Sequence, residues 1–322
     1  MKSISSFLSV SAASAVFLLL SAPSLRAETI FGMTGTSSVG AAVGVALVSF
    51  DSATPGSITT LGNFSGVTAG HGLRSIDFRP STGQLYAIST NATAAQLYTV
   101  DLLTALLIPV GGGFVLTGNG SPRVEIDFNP VVDRIRILTG SSGATGLANN
   151  FRAHPDTGAL LFTDTNLAYD PADSQAGINS FSVNGAAHSN NVAGATSTTL
   201  YTWEYETDTL ATLGGIGGTP SPNGGAMFTI NIPSAPLTFN AGLGMDISGA
   251  TGVMYVTHDN PGAGAFMGLY TRNLLTGAET SLGSYASGFF INDISVQPIP
   301  EPAVSLFCGL AGLAVATRRR RA

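Results

Sequence analysis

Short runs of alternating apolar and polar residues, separated by Gly, Asn, Asp, Ser and Pro, fill most of this 322-residue chain. Alternation with a period of two is typical of β-strands. Between residues 28 and 297, no stretch keeps an apolar 3.6-residue period for three helical turns. The 40 glycines of the chain suit frequent turns. The pattern therefore predicts an all-β fold.

The runs recur along the chain as repeats of about four strands. Asp77 and Asp127 occupy the same place in two successive repeats and are 50 residues apart. The third repeat is less regular, with strands predicted over residues 178–183, 199–204 and 209–214. The fourth repeat begins at residue 243. Four strands per unit at this period are typical of propeller blades.

The two ends of the repeat region complement each other. Only three strands are predicted near the N-terminus, over residues 29–33, 45–50 and 58–64, and their order matches the second, third and fourth strands of a repeat. Residues 290–296 supply the missing first strand. We therefore expect a propeller-like ring of five four-stranded blades, closed by pairing of the N-terminal strands with the last strand. Closure removes two exposed sheet edges.

The segments outside this region have the composition of processing signals. Residues 1–27 combine Lys2, an apolar run over 15–20 and a small-residue exit at Ala27, which predicts a signal peptide cut after Ala27. The alternatives are a cut after Ala22 and a buried first helix. Residues 28–297 form the β domain, and residues 298–322 form a separate tail.

The tail contains a Pro-Glu-Pro sequence, an uncharged apolar stretch over residues 303–316 and four arginines. A helix of that stretch spans roughly 21 Å, short of the ~30 Å hydrocarbon core, which predicts a transient membrane stop with the arginines on the cytoplasmic side. The tail resembles the PEP-CTERM sorting signal of Gram-negative bacteria that make exopolysaccharide. The matching residues are Pro300, Glu301, Pro302, Arg318, Arg319, Arg320 and Arg321. The resemblance implies recognition by an exosortase-type membrane enzyme, removal of the tail, and delivery to the cell surface or extracellular matrix. A short membrane anchor is the alternative.

The β domain resembles the DUF4394 family of uncharacterised secreted proteins from about residue 30 to residue 297. The resemblance is carried by residues 76–80, 82–87 and 127–136. It implies the propeller-like fold and brings no activity with it.

Charge and cysteine content exclude several kinds of partner. Residues 28–297 contain 18 acidic residues, seven arginines and no lysine, so the domain has a formal charge near −11. Such a domain repels phosphate backbones and anionic lipids, which argues against nucleic-acid binding. The only cysteine is Cys308, in the tail, so the domain contains no disulfide and no cysteine-based zinc site.

Candidate chemistry is sparse in the sequence. The four histidines, His71, His154, His188 and His258, are isolated from one another. We therefore expect unrelated histidines at the surface or in turns, and predict no metal site, catalytic residue or cofactor. The recurring Asp-Phe pairs are interpreted as scaffold at strand ends.

A cluster of arginines is the strongest candidate for a binding site. Arg123, Arg134, Arg136 and Arg152 are four of the seven arginines in the domain, and Arg134 and Arg136 point the same way along one strand. Paired guanidinium groups bind carboxylates and acidic sugars well. Ion pairing with Asp127, Asp133 and neighbouring acids is the favoured interpretation of these arginines, and ligand binding is the alternative.

The sequence thus favours an exported, non-catalytic binding or structural domain at the cell surface or in the matrix. Its transient partners would be the export machinery and an exosortase, with exopolysaccharide as a further candidate. One alternative is a propeller hydrolase or lactonase with an axial metal, which requires three or more Asp, Glu, Asn or His side chains converging at a mouth of the channel. Another alternative is a module that binds acidic polysaccharide through the arginines.

Overall fold

The computed structural model describes residues 27–35, 44–91, 93–116, 123–140, 148–178, 183–204, 207–231, 244–260 and 266–298. Within these ranges, the strands form five small sheets arranged as a five-bladed β-propeller, as predicted. Residues 1–26 of the predicted signal peptide lie outside the described residues, and so does the tail from residue 299 onwards, including the sorting residues 300–302 and 318–321. None of the helices in the described ranges has the length and hydropathy that a membrane span requires.

The first blade joins the two ends of the domain. Its order is β21-β1-β2-β3, with β21 (Ile291–Val296) as the inner strand. Strand β1 (Thr29–Gly35) pairs antiparallel with β21 and places Ile30 opposite Val296. Strands β2 (Gly44–Asp51) and β3 (Thr59–Asn63) complete the sheet. The predicted closure of the ring is confirmed.

Three blades are regular four-stranded antiparallel sheets whose inner strand comes first in the chain. The strands of blade 2 are β4 (Gly72–Arg79), β5 (Gln84–Thr90), β6 (Ala94–Val100) and β7 (Leu107–Val115). The strands of blade 3 are β8 (Val124–Asn129), β9 (Arg134–Thr139), β10 (Asn150–Ala153) and β11 (Leu160–Thr163). The strands of blade 5 are β17 (Gly244–Ile247), β18 (Met254–Asn260), β19 (Phe266–Arg272) and β20 (Glu279–Ser284).

Blade 4 is irregular, in line with the weaker repeat there. Its strands are β12 (Ala168–Tyr169), β13 (Val183–His188), β14 (Leu200–Glu204), β15 (Thr209–Leu213) and β16 (Ala226–Asn231). The short β12 adds to the outer edge in parallel with β16. Two 3-10 helices, Ile216–Gly218 and Pro222–Gly224, connect β15 to β16. The inner strand β13 ends at His188, five residues beyond its predicted end at Val183.

The apolar core of the described residues is divided among the interfaces between adjacent blades. Each of five apolar clusters combines side chains from two neighbouring blades. Phe31 of blade 1 meets Phe78 of blade 2 edge to face, with ring centroids 5.3 Å apart. Tyr86 and Phe128 repeat this contact between blades 2 and 3 at 5.0 Å. Burial of each such aromatic side chain contributes roughly 1.5–3 kcal/mol to the interface between two blades.

Candidate functional site

Buried side chains on the inner strands connect each blade to the next one around the axis. The Asp77 carboxylate of β4 accepts a hydrogen bond from the Phe128 amide of β8 at 2.7 Å. The Asp127 carboxylate of β8 accepts one from the His188 amide of β13 at 2.9 Å. Because each donor directly follows the equivalent position in the next blade, Asp77, Asp127 and residue 187 occupy the same place in three blades.

The same connection closes the ring on its other side. Asp246 of β17 accepts from the Val296 amide of β21 at 2.6 Å, and the Ser295 hydroxyl accepts from the Phe78 amide of β4 at 3.1 Å. Blade 4 carries Ala187 at this position, which has no side-chain acceptor. The Ile247 amide bonds to the neighbouring Asp246 carboxylate instead, at 2.6 Å. The series of polar connections is therefore interrupted between blades 4 and 5.

Three of these carboxylates converge on the axis. Each of Asp77, Asp127 and Asp246 places a carboxylate oxygen within 4.8 Å of the other two, and all three residues are buried. Burial is the main reason that the pKa of Asp77 lies well above its usual range, and the charges of Asp127 and Asp246 raise this pKa further. Burial also raises the pKa of Asp246 to about 8. Protons shared among these groups lower the charge repulsion between them.

The geometry of this cluster partly meets the requirement of an axial metal site. Carboxylate oxygens at such spacing suit a hard divalent cation. However, all three residues are buried. Among the described residues, five of the six carboxylate oxygens already accept hydrogen bonds from protein groups. We therefore interpret the cluster as cross-links between blades and not as metal ligands.

A histidine held by one of these carboxylates is the feature that the sequence did not reveal. His188 ends the inner strand of blade 4, and its Nδ1 atom contacts the Asp127 carboxylate. Its Nε2 atom is buried and has no hydrogen-bond partner among the described groups. An unpaired buried polar atom costs about 1–3 kcal/mol, so its retention calls for a reason. Burial lowers the pKa of His188 well below its usual value and keeps the ring neutral.

His188 is one of the residues around a cavity of about 250 Å³ between blades 3 and 4, which we call the arginine cavity. Arg134, Arg136 and Arg152 line it, whereas Arg123 does not. The structure thus brings together three of the four arginines singled out in the sequence. The rest of the wall consists of residues from blades 3 and 4, namely Asn129, Val131, Val132, Thr196, Ser197, Thr198, Leu200, Gly217, Gly218, Ser221, Pro222 and Asn223.

Two of the cavity arginines share one carboxylate. Arg136 and Arg152 form salt bridges with Asp164 at 2.8 and 2.7 Å. The Arg152 guanidinium also lies over the Phe162 ring, 4.1 Å from its centroid. Burial lowers the pKa of Arg136 to about 10, which still leaves it charged at neutral pH. One carboxylate shared by two guanidinium groups leaves a net positive charge.

Arg134 differs from the other two cavity arginines in its partners. It donates to the main-chain carbonyls of Val132 and Asp133, at 3.3 and 2.8 Å, and forms no salt bridge with any carboxylate in the described part of the chain. Asp133, one of its expected ion-pair partners, is bound by Arg79 of blade 2 at 2.5 Å. The guanidinium of Arg134 therefore keeps its capacity to bind an anion in the cavity.

The prediction that all four histidines lie at the surface or in turns is wrong for two of them. His188 and His258 are buried within strands. His258 lies in blade 5, where its Nε2 contacts Glu279 at 3.0 Å and its ring stacks on Tyr270. This contact has a structural role, whereas the Nε2 atom of His188 has no such partner.

A second cavity, of about 360 Å³, lies where the inner strands end. Its wall includes the turns after the inner strands of blades 2, 4 and 5, together with Pro298. We call it the axial mouth. The described part of the chain therefore ends at the axial mouth, where the tail begins.

Comparison with protein families agrees with this architecture. The model of a domain of unknown function, DUF4394, matches residues 46–295. The chain belongs to the DUF4394 family. The match spans the blades from the second strand of blade 1 to the strand that closes the ring. No curated protein sequence matches this DUF4394 chain.

Solved structures with a similar fold share little sequence with this DUF4394 protein. RS223-β-xylosidase is 11% identical with a TM-score of 0.50, over 84% of this chain and 91% of that one. The periplasmic gluconolactonase PpgL of Pseudomonas aeruginosa is 13% identical with a TM-score of 0.40, over 85% and 100% of the two chains. TolB of Acinetobacter baumannii is 14% identical with a TM-score of 0.40, over 80% and 53%. The likeness to the xylosidase shows the fold alone, and the two lower scores add nothing to it.

Proposed function

We propose that this DUF4394 protein is exported to the cell surface or extracellular matrix and binds a carboxylate-bearing saccharide in the arginine cavity. The observation that carries the proposal is the meeting of Arg134, Arg136 and Arg152 in one cavity of an otherwise strongly acidic domain. Positive groups that converge in this way oppose the overall charge of the domain, which suits an anionic ligand.

The size and polarity of the cavity favour a sugar over a larger ligand. Its volume of about 250 Å³ is slightly below the range of roughly 300–1,000 Å³ usual for ligand sites, so it accommodates a small ligand or the end of a longer one. Hydroxyl and amide groups of Thr196, Ser197, Thr198, Ser221 and Asn223 share the wall with the guanidinium groups. These groups match sugar hydroxyls, while the arginines match a carboxylate.

The proposal of export and sorting is based on the sequences of the two end segments. Residues 1–27 carry the pattern of a signal peptide, and residues 298–322 resemble the PEP-CTERM signal, with Pro300, Glu301, Pro302 and Arg318–Arg321 as the sorting residues. The tail begins at the axial mouth, so the propeller would be held with that face towards the membrane until an exosortase cuts the tail. The acidic polysaccharide of the matrix would then be the source of the ligand.

Isothermal titration of the purified protein with acidic and neutral oligosaccharides tests the binding proposal. We expect binding of oligogalacturonate and no binding of a neutral glucan of equal length, with an affinity that falls as salt rises. Arg134→Gln is expected to weaken binding at least tenfold, since it removes a charge-assisted hydrogen bond. Arg123→Gln is the matched control, because Arg123 lies outside the cavity. Equal losses in both variants would count against the arginine cavity as the site.

Fractionation of the native host with mass spectrometry of both termini tests export and sorting. We expect surface or matrix protein that starts at Glu28 and lacks Arg318–Arg321. Surface protein that still ends at Ala322, or protein retained in the cytosol with residues 1–27 attached, would contradict the proposal.

A further inference from the structure

A row of side chains leads from the arginine cavity to the outer edge of blade 3. Arg152 of β10 lies directly opposite Arg136 of β9, and Phe162 of β11 lies directly opposite Arg152. Residues that oppose each other on antiparallel strands point to the same face of the sheet. Arg136 donates to the Asn223 side chain of blade 4 at 2.7 Å, so this face is the one turned towards blade 4. Phe162 therefore continues the line of the cavity arginines.

Phe162 is the outermost member of this row and is open to solvent. Strand β11 is the outer strand of blade 3, and Phe162 is 51% exposed. It is the most exposed aromatic residue among those whose side chains the structure describes. A scattered apolar residue at the surface needs no special explanation. This ring, however, is in contact with an arginine of the cavity wall, which gives its exposure a functional interpretation.

The ring of Phe162 is held in place by that arginine. The Arg152 guanidinium lies over the ring, 4.1 Å from its centroid. Arg152 is itself fixed by the Asp164 carboxylate, which accepts from its Nε and Nη2 atoms at 2.7 and 2.8 Å. A side chain fixed in this way loses little conformational freedom when a ligand packs against it. The exposed part of the ring is thus a preorganised apolar surface beside a positively charged cavity.

We propose that the exposed part of the Phe162 ring is a second sugar subsite, which we call the Phe162 subsite. The ligand is then an oligosaccharide whose acidic sugar lies in the arginine cavity while a neighbouring sugar packs on Phe162. The inference rests on the proposed function, because it takes the carboxylate bound by the arginines as its starting point. It narrows the ligand from any small sugar acid to a chain of more than one sugar.

The chemistry of a sugar suits this pair of subsites. One side of a sugar ring presents C–H groups, and their weakly positive hydrogens match the negative face of an aromatic ring. A sugar carboxylate instead needs charged donors, which the guanidinium groups of the cavity supply. From β9 to β11 the row crosses two strand spacings, roughly 10 Å. A single sugar ring does not cover that distance, whereas a short oligosaccharide does.

Isothermal titration of the purified protein with galacturonate and with its linear trimer tests the subsite. Phe162→Ala removes the ring, so we expect its affinity for the trimer to fall by about two- to tenfold, the range that one aromatic contact supplies. Its affinity for galacturonate should stay unchanged, because the monomer occupies only the arginine cavity. Phe162→Tyr retains the aromatic face and is expected to bind the trimer as the native protein does.

Two further variants separate ring stacking from a general loss of exposed apolar surface. Leu275→Ala is the matched control, since Leu275 is 83% exposed in the turn between β19 and β20 of blade 5, and we expect native affinity for both probes. Phe162→Trp places a fluorescent indole at the subsite. We expect its emission to shift when the trimer binds and to stay unchanged with galacturonate.

The outcomes distinguish this inference from the proposed function. Binding of neither probe would overturn both together. Native affinity of Phe162→Ala for the trimer, or an emission of Phe162→Trp that ignores the trimer, would overturn the Phe162 subsite and leave binding in the arginine cavity standing. An equal loss for galacturonate and the trimer in Phe162→Ala would show that the ring only supports Arg152, which would also overturn the subsite.

Discussion

The Asp246 carboxylate accepts a hydrogen bond from the Val296 amide at 2.6 Å, across the seam where the end of the domain meets its beginning. Asp246 belongs to blade 5, and Val296 is the last residue of the strand that completes blade 1. The same oxygen lies 3.1 Å from the hydroxyl oxygen of Ser295, which donates to Asp77 at 2.8 Å. A single buried carboxylate therefore contacts two groups of the closing strand.

Removal of this carboxylate should loosen the seam. We expect Asp246→Ala to lower the free energy of unfolding by about 1–3 kcal/mol, because the Val296 amide would remain buried without an acceptor. Asp246→Asn should cost less, since the amide oxygen can still accept from Val296. Urea unfolding of the three proteins measures the difference. Equal losses of unfolding free energy in the Ala and Asn variants would show that the hydrogen bond from Val296 does not stabilise the seam.

The same group gives stability a specific dependence on pH. Burial raises the pKa of Asp246 to about 8 and that of Asp293 to about 7. The folded protein therefore holds protons that the unfolded chain has already lost. Stability falls by about 1.4 kcal/mol per pH unit for each such group as pH rises from its unfolded pKa, about 4, to its folded pKa. His188, with its lowered pKa, acts in the opposite direction only below about pH 6.5, where the unfolded histidine takes up a proton.

We therefore expect the unfolding temperature to fall between pH 6.5 and pH 8. Scanning calorimetry across this range measures it, and Asp246→Asn and Asp293→Asn should each flatten the curve. A higher unfolding temperature at higher pH would contradict the expectation. A large rise on addition of Ca²⁺ at pH 8 would instead indicate that the carboxylate cluster binds a cation.

The blades could be predicted from the sequence, because strands and turns are set by local alternation and by Gly, Pro and Asn. The closure by residues 290–296 followed from counting the strands at each end. The convergence of Asp77, Asp127 and Asp246 could not be foreseen in the same way, since residues so far apart in the chain meet only when the ring has formed. The recurrence of these aspartates at one place in the repeats is nevertheless visible in the sequence. Interpreted as turn residues, they do not predict a contact between blades.

The position of His188 in a buried strand could not be predicted for a different reason. The segment from Asn184 to His188 contains glycine, alanine and asparagine and lacks the β-branched residues of the other inner strands, so local propensity favours a loop. The structure makes it a strand, because the neighbouring inner strands on both sides enclose it. The arginine cluster was recognised, but its shared partner, Asp164, lies 28 residues from Arg136 and outside the predicted pairs.

The predicted first residue of the mature protein makes a connection that also bears on stability. The buried Glu28 carboxylate accepts hydrogen bonds from the hydroxyls of Thr251 and Tyr255 at 3.0 and 2.8 Å, and also from that of Ser248. It thereby joins the start of blade 1 to blade 5. We expect Glu28→Ala to lower the unfolding temperature by several degrees, equivalent to about 1–3 kcal/mol.

Tyr255→Phe serves as the comparison for this variant. It removes only one of the donors to Glu28, so we expect a smaller loss, of about 0.5–1.5 kcal/mol. The two losses should be less than additive in the double variant, because the two groups contact each other. Simple additivity in thermal unfolding would count against the connection.

Close contact between backbones at the seam makes Gly244 sensitive to substitution. Gly244 begins β17, and a Cβ atom built on it would lie 2.4 Å from the Cα atom of Asp293 and 2.8 Å from the Ile294 nitrogen. Backbone atoms cannot give way as a flexible side chain can, so Gly244→Ala must separate β17 from the closing strand. We expect a loss of at least about 3 kcal/mol or failure to fold. Gly112→Ala is the control, since a Cβ atom there meets nothing within 4 Å. If circular dichroism and thermal unfolding found both variants as stable as the native protein, the seam would not be packed as described.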